Sequence, residues 1–264
     1  MQDFRLATYT KLLQELLAGG YSFQTLKYFI QRPEEKTAIL RHDVDRLPKN
    51  DLVIARIEKE AGINGSYYFR IVKGSYDENI IRQIADMGHE IGYHYENLSK
   101  CRGNYEDSIL DFKSSLEKFR TIYPVKTICM HGSPISIYDN KKIWEKYDYR
   151  DYVIIAEPYF DIDYDEVFYI TDTGRAWNNS NVSIRDNVNS KFDIKIKSTQ
   201  HLIEKIQNNE LPNKIMLNVH PQRWNDDFVP WVSELVGQNV KNVMKRGIVN
   251  RGAEFRRQKT GDRV

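Results

Sequence analysis

Between Thr37 and Met130 the chain repeats one pattern: a short apolar run, a segment of helical spacing, then another apolar run. The runs TAIL into Arg41, SYYFRIV (Ser66 to Val72), EIGYHY (Glu90 to Tyr95) and KTICM (Lys126 to Met130) are too short for helices and too apolar for loops. They read as buried strands. Between them Asp51 to Ala61, Glu78 to Met87 and Tyr105 to Phe119 have helical periodicity, the first two stopped by Gly62 and Gly88. Parallel strands need crossover connections of this kind, so the rhythm predicts an α/β fold with a parallel sheet, either open and doubly wound or closed into a (β/α) barrel.

The flanks extend this frame. Leu6, Leu12, Leu13, Leu16 and Leu17 recur at helical spacing before Gly19-Gly20, and a second helical segment follows from Phe23 to Ile30. Residues 1–36 therefore form an expected helical cap, 37–250 a barrel domain and 251–264 a basic, flexible tail. Tyr147 to Asp193 is irregular and dense in Tyr, Asp and Asn. Regular signals return as a helix from Thr199 to Gln207, a strand from Ile215 to Val219 and a helix from Val232 to Met244. A chain of 264 residues fits one barrel of the usual ~250 residues.

Charge narrows the function. The 39 basic and 37 acidic side chains leave a net charge of +2, which gives no polyelectrolyte face for nucleic acid. No apolar run approaches the ~18 residues of a membrane span. The opening segment carries Asp3, Lys11 and Glu15 where a signal peptide has an unbroken apolar core, and Cys101 and Cys129 suggest no disulfide framework. A cytoplasmic location is expected. The oligomeric state is left open.

Four of the six histidines, His42, His94, His131 and His220, fall at the C-terminal ends of predicted strands. Strand C-termini share one rim in such folds, and ligands bind there, so these segments are expected to converge. In RHDVD, Asp43 and Asp45 point to one side of an extended chain and would repel unless a cation or hydrogen bonds compensate. A metal is the simplest compensation; capping of the next helix is the alternative. In GHEIGYHYE the two histidines are five residues apart rather than four and Gly92 interrupts any helix, so a zinc-protease HExxH motif is excluded. As a strand, it puts His94 on one face with Glu90, Gly92 and Glu96, and His89 on the other. CMHGSP delivers His131 and then turns, with backbone N–H groups that can serve an oxyanion. MLNVHPQRW ends a strand at His220, with Trp224 and Trp231 nearby as core residues or as a sugar-stacking surface.

Together these residues resemble the polysaccharide deacetylases, carbohydrate esterase family 4, over Thr37 to Pro221. The resemblance implies a distorted (β/α) barrel of about seven strands around a divalent metal ion, zinc by expectation, and hydrolysis of N-acetyl groups on a saccharide. RHDVD is similar to the family's Asp pair, which makes Asp43 the general base and Asp45 a metal ligand. GHEIGYH is similar to the lead-in of its His-x-x-x-His motif, which makes His94 a ligand; the second position holds Leu98, so His131 or Glu96 is expected to complete the site. Leu217 and His220 match the closing Leu-x-x-His motif, implying an acetyl-pocket residue and the general acid. The Arg that orients the base is missing from its usual place, and Arg41 or Arg175 is the expected substitute. ITDTGRAW is similar to the motif that supports the catalytic His, through Asp172 and Trp177; Trp177, Trp224 and Arg175 are expected beside the substrate. The alternatives are an inactive glycan-binding barrel and a hydrolase of a non-sugar C–N bond.

Overall fold

The computed structural model describes residues 3–132, 136–177 and 188–243. The expected tail, the end of the last helix at Met244, and Ser133 and Pro134 of the HGSP turn lie outside the described residues. In chain order the strands are β1 (Ser22–Gln24), β2 (Thr37–Val44), β3 (Ser66–Phe69), β4 (Glu90–Tyr95), β5 (Ile128–Met130), β6 (Phe168–Thr171) and β7 (Lys214–Val219). The α-helices are α1 (Leu6–Ala18), α2 (Leu26–Gln31), α3 (Pro48–Glu60), α4 (Glu78–Asp86), α5 (Asn97–Lys100), α6 (Tyr105–Arg120), α7 (Pro158–Asp161) and α8 (Thr199–Gln207). A further helix spans 228–243.

All seven strands belong to one parallel sheet, ordered β5-β4-β3-β2-β7-β6. One edge of β2 is shared: β1 pairs with Thr37 to Ile39 and β3 with Arg41 to Val44, while β7 takes the other edge. The segment expected as a cap thus gives a strand to the sheet, because the residues around Phe23 pair with β2 instead of starting a helix. Beyond β5 the 154–156 segment adds a parallel bridge, Thr127 to Ala156, with Ile128 N–H donating to Ala156 O at 3.1 Å.

The sheet is curled into a partial barrel. Strand period two separates its two faces. Ala38, Leu40, Ile91, Tyr93, Ile170, Ile215 and Leu217 pack outward under the helices. Ile39, Tyr68, Cys129, Tyr169 and Met216 form a second cluster inside. Cys129 and Tyr169 come from opposite ends of the strand order, so only a curled sheet brings them into one cluster. Among the described residues no ladder joins β6 to 154–156, and the barrel stays open along that seam.

Local chemistry sets the crossovers. Asp77, Asn104 and Ser198 cap α4, α6 and α8 by accepting from backbone N–H groups of the first turn. Gly62 and Gly88 follow α3 and α4 with φ of 72° and 95°, a backbone region open to glycine without steric cost. Tyr9, Leu12, Leu13 and Leu16 seat α1, which packs on α8 and α3.

Candidate metal centre and active site

β2 delivers the acidic pair. Asp43 projects into the barrel with Arg41, which grips both its oxygens: Nε to Oδ1 at 2.9 Å and Nη2 to Oδ2 at 2.7 Å. Asn218 Nδ2 adds a bond to Oδ2 at 3.1 Å. Burial pushes the Asp43 carboxyl up, but Arg41, His94 and His220 together outweigh it and hold the group well below the usual carboxylate range. Asp45 lies just beyond the strand, where the chain turns and Asp45 N–H donates to Asp43 O at 3.0 Å. A turn rather than continued extension therefore aims the second carboxylate.

β4 delivers His94, as its alternation predicts. A Cβ at Gly92 would lie 2.3 Å from the Tyr68 ring, so glycine there lets the ring cross β4. His94 Nδ1 lies 3.0 Å from Cys129 O. Donation of Nδ1–H to that carbonyl leaves the Nε2 lone pair facing the rim. Burial lowers the His94 pKa to about 4, so the ring is neutral near pH 7.

β5 delivers His131. Its Nδ1 lies 3.2 Å from His94 Nε2 and 3.1 Å from Asp45 Oδ1, and His94 Nε2 lies 3.7 Å from the same oxygen. These three side chains form a group that could hold a metal ion. The chemistry fits: two imidazoles and one carboxylate are borderline zinc ligands, and tetrahedral ligands at the usual zinc distances sit ~3.3 Å from one another. Asp45 Oδ1 is sealed from solvent and makes no hydrogen bond of good geometry, which a cation would remedy. A second group, Asp43, His94 and Cys129, shares His94. It is the poorer candidate because Arg41 and Asn218 already occupy both Asp43 oxygens.

β7 delivers His220. Asp172, just after β6, meets its Nδ1 at 2.6 Å and accepts its backbone N–H. Arg223 and Trp224 also donate to that carboxylate, at 2.5 and 2.9 Å. Burial raises the Asp172 carboxyl, but Arg223 and His220 outweigh it, so the group is held as the anion. Nδ1 is thereby committed, and Nε2 is the nitrogen left to meet a ligand. His220 is close enough to act on the charges of both Asp43 and Asp45.

Several expected participants lie elsewhere. His42 alternates with Asp43, so it faces the helices and meets Glu58 at 2.8 Å in a buried cluster with Tyr9, Tyr67 and His89. His89, expected on the opposite face of β4 from His94, is bonded to Gly65 N–H and Ala55 O, each at 3.0 Å. Glu96 is not a free ligand: Arg70 Nη2 binds its two oxygens at 2.8 and 2.7 Å. Leu98 is buried on α5. Leu217 points outward into the helix-side core because the inward positions of β7 are Met216 and Asn218. Trp177 and Trp224 are buried against Phe4, with Trp177 Nε1 bonded to Thr199 and Trp224 Nε1 to Asp172, so neither offers a sugar platform. Arg175 binds Trp231 O at 2.9 Å and stacks on that ring; of the two candidate arginines, only Arg41 holds Asp43.

Sequence reasoning missed Asn218 and Arg223. Each lies two or three residues from His220 in MLNVHPQRW, but its role depends on which partner strand lies beside β7. No family model matches the chain, and no curated protein matches it.

Proposed function

We propose that the chain is a metal-dependent amide hydrolase that removes N-acetyl groups from a saccharide. The observation that carries this reading is one rim holding three things: the Asp45, His94 and His131 group, an Arg41-clamped Asp43, and an Asp172-braced His220. The resemblance of RHDVD, GHEIGYH and the strand-end His220 to motifs of the polysaccharide deacetylases supports the acetylated-sugar substrate.

Asp45, His94 and His131 would hold the ion. When bound, a divalent cation supplies Lewis acidity toward a carbonyl oxygen and an acidified water. Asp43, kept ionised by Arg41 and Asn218, accepts the proton from the attacking water. Asp172 fixes the tautomer and orientation of His220, whose Nε2 passes a proton to the departing amine. Acetate and a free amino sugar leave. The test is acetate release from a panel of N-acetylated saccharides by zinc-loaded protein, abolished by a chelator and restored by zinc. A protein that binds zinc but releases acetate from none of them would refute the reading.

A further inference from the structure

The helix 228–243 is seated with its polar side inward. Trp231 Nε1 donates to Asp3 O, and Arg175 Nη1 donates to Trp231 O, each at 2.9 Å. Glu234 pairs with Arg46, the residue after Asp45. Gln238 Nε2 donates to Asn242 Oδ1 at 2.9 Å, and Asn242 Nδ2 donates to Gly174 O at 2.8 Å, two residues beyond Asp172. Both amide side chains are buried. These anchors hold the helix beside the catalytic rim.

The opposite side is apolar and faces water. Val229, Val236 and Val243 recur every seven residues and Val240 falls between the last two. At ~3.6 residues per turn the four form one stripe, interrupted by Ser233. Val229, Val236, Val240 and Val243 are 75%, 56%, 57% and 68% exposed, and Phe228 at the helix start is 71% exposed. A surface helix ordinarily buries its apolar stripe and turns its polar side to solvent. Here the two sides are exchanged, and a row of exposed apolar side chains on one face marks an interaction surface.

Charge identifies the occupant. From Lys241 to Val264 the sequence holds eight basic and two acidic residues, a net +6, whereas the whole chain carries +2, so the rest of the molecule is net acidic. The basic run therefore begins in the helix itself. A second copy of the chain would cover the valines but add a second basic run to the first. Nucleic acid would neutralise the run but leave the valines in water. A bilayer surface bearing anionic lipid satisfies both, because apolar side chains enter the headgroup boundary while Lys and Arg are attracted to the lipid charge.

We propose that the valine face of the helix 228–243, with the basic run that follows it in sequence, docks the chain on a bilayer surface bearing anionic lipid. The association is peripheral: no described helix is long and apolar enough to cross a membrane. It goes beyond the hydrolase reading and does not depend on it.

Co-sedimentation of the full chain with phosphatidylcholine vesicles, with and without about 30% phosphatidylserine, tests docking in the absence of substrate and metal. The anionic vesicles should bind about tenfold or more tightly than the neutral ones, and rising salt should weaken them. The double substitution Val236→Ser/Val240→Ser alters only exposed side chains, so far-UV circular dichroism should be unchanged. Its affinity for anionic vesicles should fall by about tenfold or more. Lys245→Gln/Arg246→Gln should lower that affinity by about tenfold as well. The proposal is overturned if anionic vesicles bind no more tightly than neutral ones. It is overturned too if the valine substitutions leave binding unchanged, since the attraction is then purely ionic. A dimer in analytical ultracentrifugation that the valine substitutions dissociate, with no vesicle binding, would assign the face to a second copy and overturn it likewise.

Discussion

Arg41 and Asp43, two residues apart on β2, form a buried two-point ion pair, Nε to Oδ1 at 2.9 Å and Nη2 to Oδ2 at 2.7 Å. Such geometry holds a carboxylate ionised and aimed at once, which lysine with its single ammonium does not reproduce. In Arg41→Met the Asp43 carboxyl loses its main stabilising charge. The acid limb of the kcat/KM profile should move up by about 1–3 pH units. A pH–rate profile checks this, and an unmoved limb would remove Asp43 from the role of base.

Asp43→Asn should lower kcat by about 10²–10⁴ while zinc content stays near one ion per chain. It should also cost about 3–5 kcal/mol of stability, since Arg41 is left buried without its counter-charge. Metal analysis, acetate assays and urea unfolding together separate the two effects.

His94→Ala and His131→Ala should each weaken zinc binding by more than about 100-fold, beyond the loss typical of an outer-shell partner. Glu96→Gln should change it by less than about tenfold, because Arg70 already neutralises Glu96 and its oxygen stands 3.9 Å from His131 Nε2. Competition with a chromophoric chelator reads all three. A large loss in Glu96→Gln alone would reassign the third ligand.

Asp172→Asn should reduce kcat by about 10²–10⁴ with zinc affinity unchanged, because His220 loses the partner that fixes its tautomer. Arg223 and Trp224 lose the same acceptor, so thermal stability should fall too. Equal kcat in the variant would exclude His220 as the proton donor.

Burial pushes the Glu157 carboxyl from 4.5 up to about 7. The folded state therefore binds its proton more tightly than the unfolded chain does. The resulting stabilisation is complete below pH 4.5 and is lost as pH rises through 7. In chelator-treated protein, the stability of wild type minus that of Glu157→Gln should shrink between pH 4.5 and 7. Burial acts on His94 with the opposite sign, lowering it from 6.5 to about 4, so its contribution is present above 6.5 and lost as pH falls through 4. Relative to His94→Gln, wild type should lose stability over that fall. Urea titrations across the range check both slopes.

Much of the frame was legible in the chain because it depends on local periodicity. The helix from Thr199 to Gln207 and the strand ending at Val219 follow from the apolar pattern alone. β1 and β6 escaped that reasoning: β1 overlaps a segment of helical spacing and β6 sits in the irregular Tyr147 to Asp193 stretch, and pairing with β2 and β7 defines them. His42 shows the opposite lesson, since the period that sends Asp43 inward sends its neighbour out to Glu58.

Strand alternation was enough to aim Asp43 and His94 into the barrel and to turn His89 away, since side-chain direction along a strand depends only on position. Which groups then meet was decided by register and curvature. His131 reaches Asp45 across two intervening strands, Asp172 finds His220 across the β6 to β7 ladder, and the tryptophans that looked like sugar platforms vanish into the core against Phe4. Contacts between residues this far apart in sequence depend on how the strands pair and the sheet curls, and no local pattern encodes that.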